Sequence, residues 1–171
     1  MSVKFEDLAI GYNVEVHYEP QSNGSIALFD FVPHDVELEK LPTLPFKIAG
    51  INKKYYNENN DVCIMVEIIS PYKDQNIGWN FIDQSEMSAW KSEGWNLSGK
   101  IDLTTTLYLI TYKSVNLIKS NGVSLKKYGH FCIECKDYFP YAESNTTDDR
   151  LLCYSCRTTY AWKHPNLKPA T

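Results

Sequence analysis

Four of the five cysteines fall into two pairs of identical internal spacing: Cys132-Ile-Glu-Cys135 and, seventeen residues further on, Cys153-Tyr-Ser-Cys156. Two CxxC pairs about fifteen to twenty residues apart form a strong zinc pattern. Zinc takes four soft or borderline donors at tetrahedral corners, with sulfur about 2.3 Å from the ion. One CxxC turn brings two thiolates to one side of the ion while its backbone amides can donate to the sulfurs, and the second turn closes the shell. Two disulfides, a redox dithiol or unrelated buried cysteines are the competing readings. Disulfides need an oxidising compartment, and a redox motif places one pair, not two, on a strand-to-helix turn. The expected ligands are therefore Cys132, Cys135, Cys153 and Cys156 around one zinc ion. Four thiolates leave no open corner for water or substrate, so the expected role of the ion is structural. His130 and His164 lie close to the pairs as conceivable substitute ligands, but a complete thiolate set leaves them nothing to do. Cys63, inside Val62-Cys63-Ile64-Met65-Val66, reads as a core residue.

Other residues with chemical potential are sparse. His17 and the neighbours His34 and Asp35 could in principle move protons, but His34-Asp35 follows Pro33 in what reads as a solvated turn. There is no phosphate-cradling glycine loop, nucleophile elbow, HExxH or carboxylate-rich metal motif. A zinc-containing nuclease-like enzyme stands as a second alternative, although His164-Pro165-Asn166 imitates a His/Asn metal set poorly. The chain is expected to be non-enzymatic. Twelve tyrosines and four tryptophans point instead to binding, because aromatic side chains bury large area for few rotors. Trp79, Trp90 and Trp95, with Tyr55, Tyr56 and Tyr72, are the expected contributors to a partner surface; the competing reading places at least two of the tryptophans in the core.

These residues must be positioned by a chain of 171 residues, 43% of them hydrophobic and 22% charged, which is enough apolar material to exclude disorder as the default. Alternation from Tyr12 to Tyr18 after Gly11 predicts a half-buried strand, and Ser25 to Val32 a second apolar segment that stops at Pro33. Leu41-Pro42-Thr43-Leu44-Pro45 is too proline-rich for an inner strand and is expected to run extended along the surface. It leads into a hairpin: Phe46 to Tyr56, a turn at Asn57-Glu58-Asn59-Asn60, then Asp61 to Ser70. Further strands are expected at residues 76–82 and 107–118, the latter with Leu107, Leu109 and Thr111 on one face and Tyr108, Ile110 and Tyr112 on the other, both covered in part. A short helix starts with Asp83 as N-cap and Glu86 three residues on, and ends before Gly94. Another helix runs from Cys156 through Trp162 to Pro165.

The expected architecture is mostly β (α+β): a small antiparallel barrel or twisted sheet with one short helix in residues 1–122, followed by a zinc module in residues 123–171. The module is too small to bury a conventional core, so the ion must supply much of its folding free energy, on the order of 10 kcal/mol in small zinc peptides.

The C-terminal spacing and the helix after Cys156 resemble treble-clef and zinc-ribbon modules, and Leu151-Leu152-Cys153-Tyr154-Ser155-Cys156-Arg157 looks like the second knuckle of a GATA-type finger, which has the same pair-to-pair spacing. The likeness implies the ligands Cys132, Cys135, Cys153 and Cys156. GATA-type fingers read DNA with a basic surface, whereas the spacer here, residues 136–152, is net acidic. Its wording, Tyr138-Phe139-Pro140-Tyr141-Ala142-Glu143 and then Asp148-Asp149-Arg150-Leu151-Leu152, is also similar to small zinc-ribbon proteins of tailed bacteriophages. Residues 5–16, with Ile77-Gly78-Trp79, Gly94-Trp95 and residues 109–115, look like the strands and turns of Tudor- or KOW-like small barrels.

Charge separates the partner classes. There are 17 Lys+Arg against 21 Asp+Glu, a net charge of -4, and eight of the acids lie in residues 1–40 beside only Lys4 and Lys40. Bulk charge therefore does not hold a polyanion. A protein partner is favoured, as for a phage accessory factor bound to a host or viral protein. The alternative is a nucleic-acid binder that stacks bases on aromatics and holds phosphates with Lys53, Lys54, Lys113, Lys119, Lys126 and Lys127. No run is long and apolar enough to span a bilayer and no leader is visible, so the expected location is cytoplasmic, in a host cell if the chain is viral. The pattern selects no oligomeric state.

Overall fold

The computed structural model of the chain describes residues 3–22, 26–69, 86–101, 106–119, 122–124, 127–136, 138–140 and 156. The Gly11 turn, with φ of 91°, feeds β1 (Asn13–Pro20), followed by β2 (Ile26–Leu28), β3 (Thr43–Tyr56) and β4 (Val62–Ile68). After α1 (Met87–Ser92) and β5 (Asn96–Leu97) come β6 (Leu107–Thr111) and β7 (Val115–Leu117). The main sheet has the order β2-β1-β3-β4-β6, with β5 added to β3 and β7 to β1, and all its pairings are antiparallel. β6 and β7 are separated by a single 3₁₀ turn, Tyr112–Ser114. The chain thus pairs with β4 through one half and with β1 through the other, so the sheet nearly closes on itself. Among the described residues no helix is long and apolar enough to cross a membrane.

Alternation sorts the side chains into two cores. Val14, Val16 and Tyr18 of β1, Leu44, Phe46 and Ile48 of β3, Ile64 and Val66 of β4, and Tyr108 and Ile110 of β6 fill the barrel interior. Phe46 and Tyr108 meet edge to face with ring centroids 5.9 Å apart. On the outer face Ala49, Met65 and Leu107 pack with Trp90 and Trp95, and Leu109 adds to this second cluster. The two faces expected for residues 107–112 are therefore both covered, each by a different core.

Three expectations about the elements need correction. Thr43–Pro45 is not a surface segment but the start of β3, with Leu44 fully buried opposite Val16. The β3–β4 ladder ends at Phe46↔Ile68, while Ile48 bonds toward Tyr12 on the β1 side. By alternation Pro45 turns its ring nitrogen to the β4 side, past the end of that ladder, where no N–H is needed. Residues 107–118 do not form one strand. Thr111 Oγ1 accepts from Lys113 N at 3.3 Å and Ser114 Oγ donates to the Thr111 carbonyl at 2.9 Å, so local side-chain bonds outcompete the ladder and bend the chain. The apolar run from Ser25 to Val32 yields only the three residues of β2.

The β3–β4 hairpin is as expected. Asn57 Oδ1 accepts from the amides of Asn59 and Asp61, both at 2.9 Å, and Asn60 takes a left-handed φ of 62°. Within β3 one residue is unmatched between the Ile48↔Val66 and Gly50↔Met65 pairs, a bulge that points Ala49 and Gly50 to the same outer side. A Cβ at Gly50 would lie 2.9 Å from Leu97 Cδ2 and 3.2 Å from Met65 Cβ, so only glycine admits this cover.

The helix is Met87–Ser92, and its end is set by Gly94 at φ 102°. Gly94 N donates to the Lys91 carbonyl and Trp95 N to the Trp90 carbonyl, the paired bonds of a Schellman termination. That motif places Trp90 and Trp95 together over the sheet. The expected cap at Asp83 and the expected strand at 76–82 lie outside the described residues.

Candidate metal centre

Beyond the barrel, β8 (Gly129–Phe131) and β9 (Tyr138–Pro140) pair antiparallel in the register Gly129↔Pro140, His130↔Phe139 and Phe131↔Tyr138. The first CxxC occupies the bend between them. Cys132 is the first residue past β8, and the Lys136 amide returns to the Cys132 carbonyl at 3.0 Å, winding Cys132 to Cys135 into a compact turn. Lys136 holds φ at 67°, in the left-handed region, and its Nζ donates to the Ile133 carbonyl at 2.8 Å. The turn needs this conformation to reverse the chain into β9, and no glycine in the sequence announced it.

Cys156, which is helical, comes to the same place. The Sγ atoms of Cys132, Cys135 and Cys156 all lie within 4.8 Å of one another, with Cys132 buried, Cys135 exposed and Cys156 between the two. Around a tetrahedral ion with about 2.3 Å metal–sulfur bonds, neighbouring sulfurs sit about 3.8 Å apart. A group of three thiols inside 4.8 Å therefore fits a shared centre, and three such donors suit a borderline-soft ion. These cysteines could hold a metal ion. Cys153, the fourth expected ligand, lies outside the described residues, as do His164 and all of the expected second helix except Cys156.

The other cysteine stands apart. Cys63 is buried in β4, and burial, with Asp61 and Asp30 nearby, pushes its thiol up to about 12. Its place in the interior of β4 is that expected of a core residue. His34 and Asp35 sit in an exposed turn.

The hairpin is moored to the barrel by a polar link that no sequence pattern reveals, because its partners are more than a hundred positions apart. Tyr128, buried in the barrel core one residue before β8, donates its hydroxyl to Glu15 Oε1 at 2.6 Å, and Lys127 Nζ donates to the same oxygen. Burial opposes the charge on Glu15, yet these bonds and the positive charge of Lys127 outweigh it and hold the carboxyl below its ordinary range. Val123 also packs against the barrel core. The linker between the two expected units is thus docked on the first of them. On the same outer face His17 bonds through Nε2 to the Asn116 amide at 2.9 Å, and burial lowers its pKa.

The expected aromatic partner surface is not assembled by the described residues. Trp90 and Trp95 are only 6% and 5% exposed, committed to the outer core with Ala49, Met65 and Leu107 by the Schellman turn. Tyr55 leans on Trp95, rings 5.3 Å apart, while Tyr56 stands 53% exposed at the end of β3. Trp79 and Tyr72 lie outside the described residues. Among the described residues the large exposed hydrophobics are Tyr12, Phe31, Tyr56, Phe131 and Ile133, of which only Tyr56 was expected in the partner surface. Of the lysines considered for phosphate, Lys113 is ion-paired with Asp61 at 2.8 Å and Lys127 with Glu15. Compared with known proteins, the chain matches no family model, no curated protein and no solved structure. A functional reading is therefore built from this geometry alone.

Proposed function

We propose that the chain is a non-enzymatic binding protein whose C-terminal part is held by one structural zinc ion and whose partner is a protein. The observation that carries the proposal is the convergence of Cys132, Cys135 and Cys156 sulfurs within 4.8 Å. Cys153, three residues before Cys156, is the natural donor for the remaining corner. Four thiolates around zinc would give a closed shell with no position for water, which suits a fold-holding ion and removes Lewis-acid chemistry from its repertoire. The hairpin supports this role. Phe131 and Ile133 are 48% and 49% exposed, so apolar burial contributes little to holding the bend.

Charge supports a protein partner. The acidic balance of the chain and the pairing of Lys113 and Lys127 with carboxylates weigh against a phosphate-holding surface. The wording of residues 138–152 extends the proposal to an accessory factor of a tailed phage, acting on a host or viral protein from within the host cytoplasm.

The experiment is metal analysis by mass spectrometry of chelator-free protein, beside the Cys153→Ser and Cys135→Ser variants. One zinc per native chain, lost or strongly reduced in both variants, is the expected result. Much less than one zinc per chain, or variants that retain it fully, overturns the metal reading. Titration with single-stranded oligonucleotides from low to physiological salt addresses the partner class. Weak binding is expected; tight binding with a steep salt slope rejects the protein-partner reading.

A further inference from the structure

Three chain segments of the barrel enclose a groove of about 680 Å³ that none of the clustered cysteines lines. Its apolar side is Phe31, Val32, Pro33 and Val36 from the β2–β3 connection; its polar side includes Asp61 from the β3–β4 turn and Lys113 from the 3₁₀ turn. Phe31 is 37% exposed, a large apolar side chain left facing solvent at the groove.

The three segments are tied together through the hairpin turn. Asn57 Nδ2 donates to the Asp30 carbonyl, joining the hairpin turn to the β2–β3 connection. Lys113 Nζ meets Asp61 Oδ1 at 2.8 Å, joining the hairpin turn to the 3₁₀ turn. Ser114 Oγ, whose proton goes to the Thr111 carbonyl at 2.9 Å, also lies 3.4 Å from the Phe29 carbonyl and so sets the 3₁₀ turn beside the β2–β3 connection. The hairpin turn is thus linked to both other segments, and the groove is formed before anything enters it.

The same segments hold the protein's excess charge. Residues 29–40, 57–61 and 112–114 contain six acids, Asp30, Asp35, Glu37, Glu39, Glu58 and Asp61, against Lys40 and Lys113. Their net charge is -4, equal to that of the entire chain, so the remainder is neutral. Both lysines are engaged internally, Lys40 with Glu37 at 2.5 Å and Lys113 with Asp61. Asp61 lines the groove itself, and Asp35, Glu37 and Glu58 lie next in sequence to the lining residues His34, Val36 and Asn59. An apolar wall flanked by net negative segments complements a ligand that carries an apolar anchor between positive charges, and it repels a polyanion.

We infer that this groove is the docking site for a short extended segment of a partner protein, an apolar side chain seated against Phe31, Val32, Pro33 and Val36 with Lys or Arg on either side of it at the net negative segments. The inference rests on the protein-partner reading above and names its site. Electrostatic steering would speed encounter and the apolar anchor would set the dwell time.

Fluorescence anisotropy of the full zinc-loaded chain with three labelled heptapeptides tests it: KRLPLRK, its charge-only counterpart KRGPGRK, and its acidic counterpart EELPLEE. Saturable binding is expected for the first, at least tenfold tighter than for either of the others, and weakening as salt rises. Phe31→Ala, and separately the pair Asp35→Lys with Glu58→Lys, should each weaken it tenfold or more while the circular dichroism stays unchanged, since all three positions are exposed. Equal binding of the charge-only or acidic peptide, no saturable binding of the first, or indifference to both variants overturns the groove assignment. Failure here leaves the zinc count and the oligonucleotide titration untouched, so the broader reading falls only on its own measurements.

Discussion

The barrel and the cysteine hairpin differ in what lies at their centres. In the barrel, Phe46, Ile48, Ile64 and Ile110 are completely buried, and two layers of apolar side chains share one sheet. In the hairpin the residues flanking Cys132, Phe131 and Ile133, are about half exposed, and Cys132 itself is the buried one. One region excludes water from hydrocarbon; the other gathers sulfur. The contrast teaches that a turn whose neighbours Phe131 and Ile133 stay half exposed can still be fastened to a packed body by a single buried residue. The fastening is Tyr128, whose ring belongs to the first region and whose next residue opens the second.

That comparison can be broken at several points. The largest effect is expected from removing the ion: a strong chelator should cost the hairpin on the order of 10 kcal/mol of local folding free energy. Hydrogen exchange should then show residues 129–140 unprotected while β3 and β4 keep their protection. Loss of protection throughout would mean that the barrel also depends on the metal. Next comes Phe46→Ala, which removes a fully buried ring and should destabilise the barrel by about 3–5 kcal/mol in urea unfolding, with zinc content unchanged under native conditions. Tyr128→Phe deletes only a hydroxyl bonded to a charged carboxylate, and about 1.5–3 kcal/mol is the expected loss. If the mooring matters, exchange in the hairpin should rise more than in the barrel.

The smallest effect concerns His17. Its pKa is lowered in the folded protein from the usual 6.5, chiefly by burial, so the unfolded chain binds the proton more readily. Stability is therefore unaffected above about pH 6.5 and falls as the pH drops from there toward the lowered folded value. The urea midpoint should shift down between pH 7.5 and pH 5.5, and His17→Gln should flatten that slope. An unchanged slope in the variant would assign the acid sensitivity to other groups. Glu15, whose carboxyl is held below its ordinary value, acts only at still lower pH, where its stabilisation is lost as it becomes protonated.

Periodicity in the amino-acid order announced much of this arrangement and missed what depends on distant partners. The alternation across residues 107–112 predicts two covered faces, and Asn57 to Asn60 predicts the hairpin turn, because both are local patterns read by local geometry. Cys132, Cys135 and Cys156 come together as the paired spacing predicts. Pro45 misleads, since its tolerance inside a strand depends on where the β4 ladder happens to stop. The tryptophans mislead in the other direction: exposure and burial look alike in sequence until a bulge at Ala49 and Gly50 opens room for a helix above them. The acid in residues 30–39 is visible at once, but its role at a groove needs the turn at 57–61 and the 3₁₀ turn at 112–114, brought there only by folding.

The left-handed Lys136 has a kinetic corollary. A side-chain-bearing residue in that conformation costs about 1–2 kcal/mol relative to its relaxed state, a penalty glycine does not incur. Were the sulfurs to hold an ion and then lose it, the backbone at this position would have reason to spring back, spreading Cys132 and Cys135. Reloading would then have to rewind the bend before capture, so the strain favours release and opposes recapture, and a glycine at this position would ease reloading without altering a single donor atom.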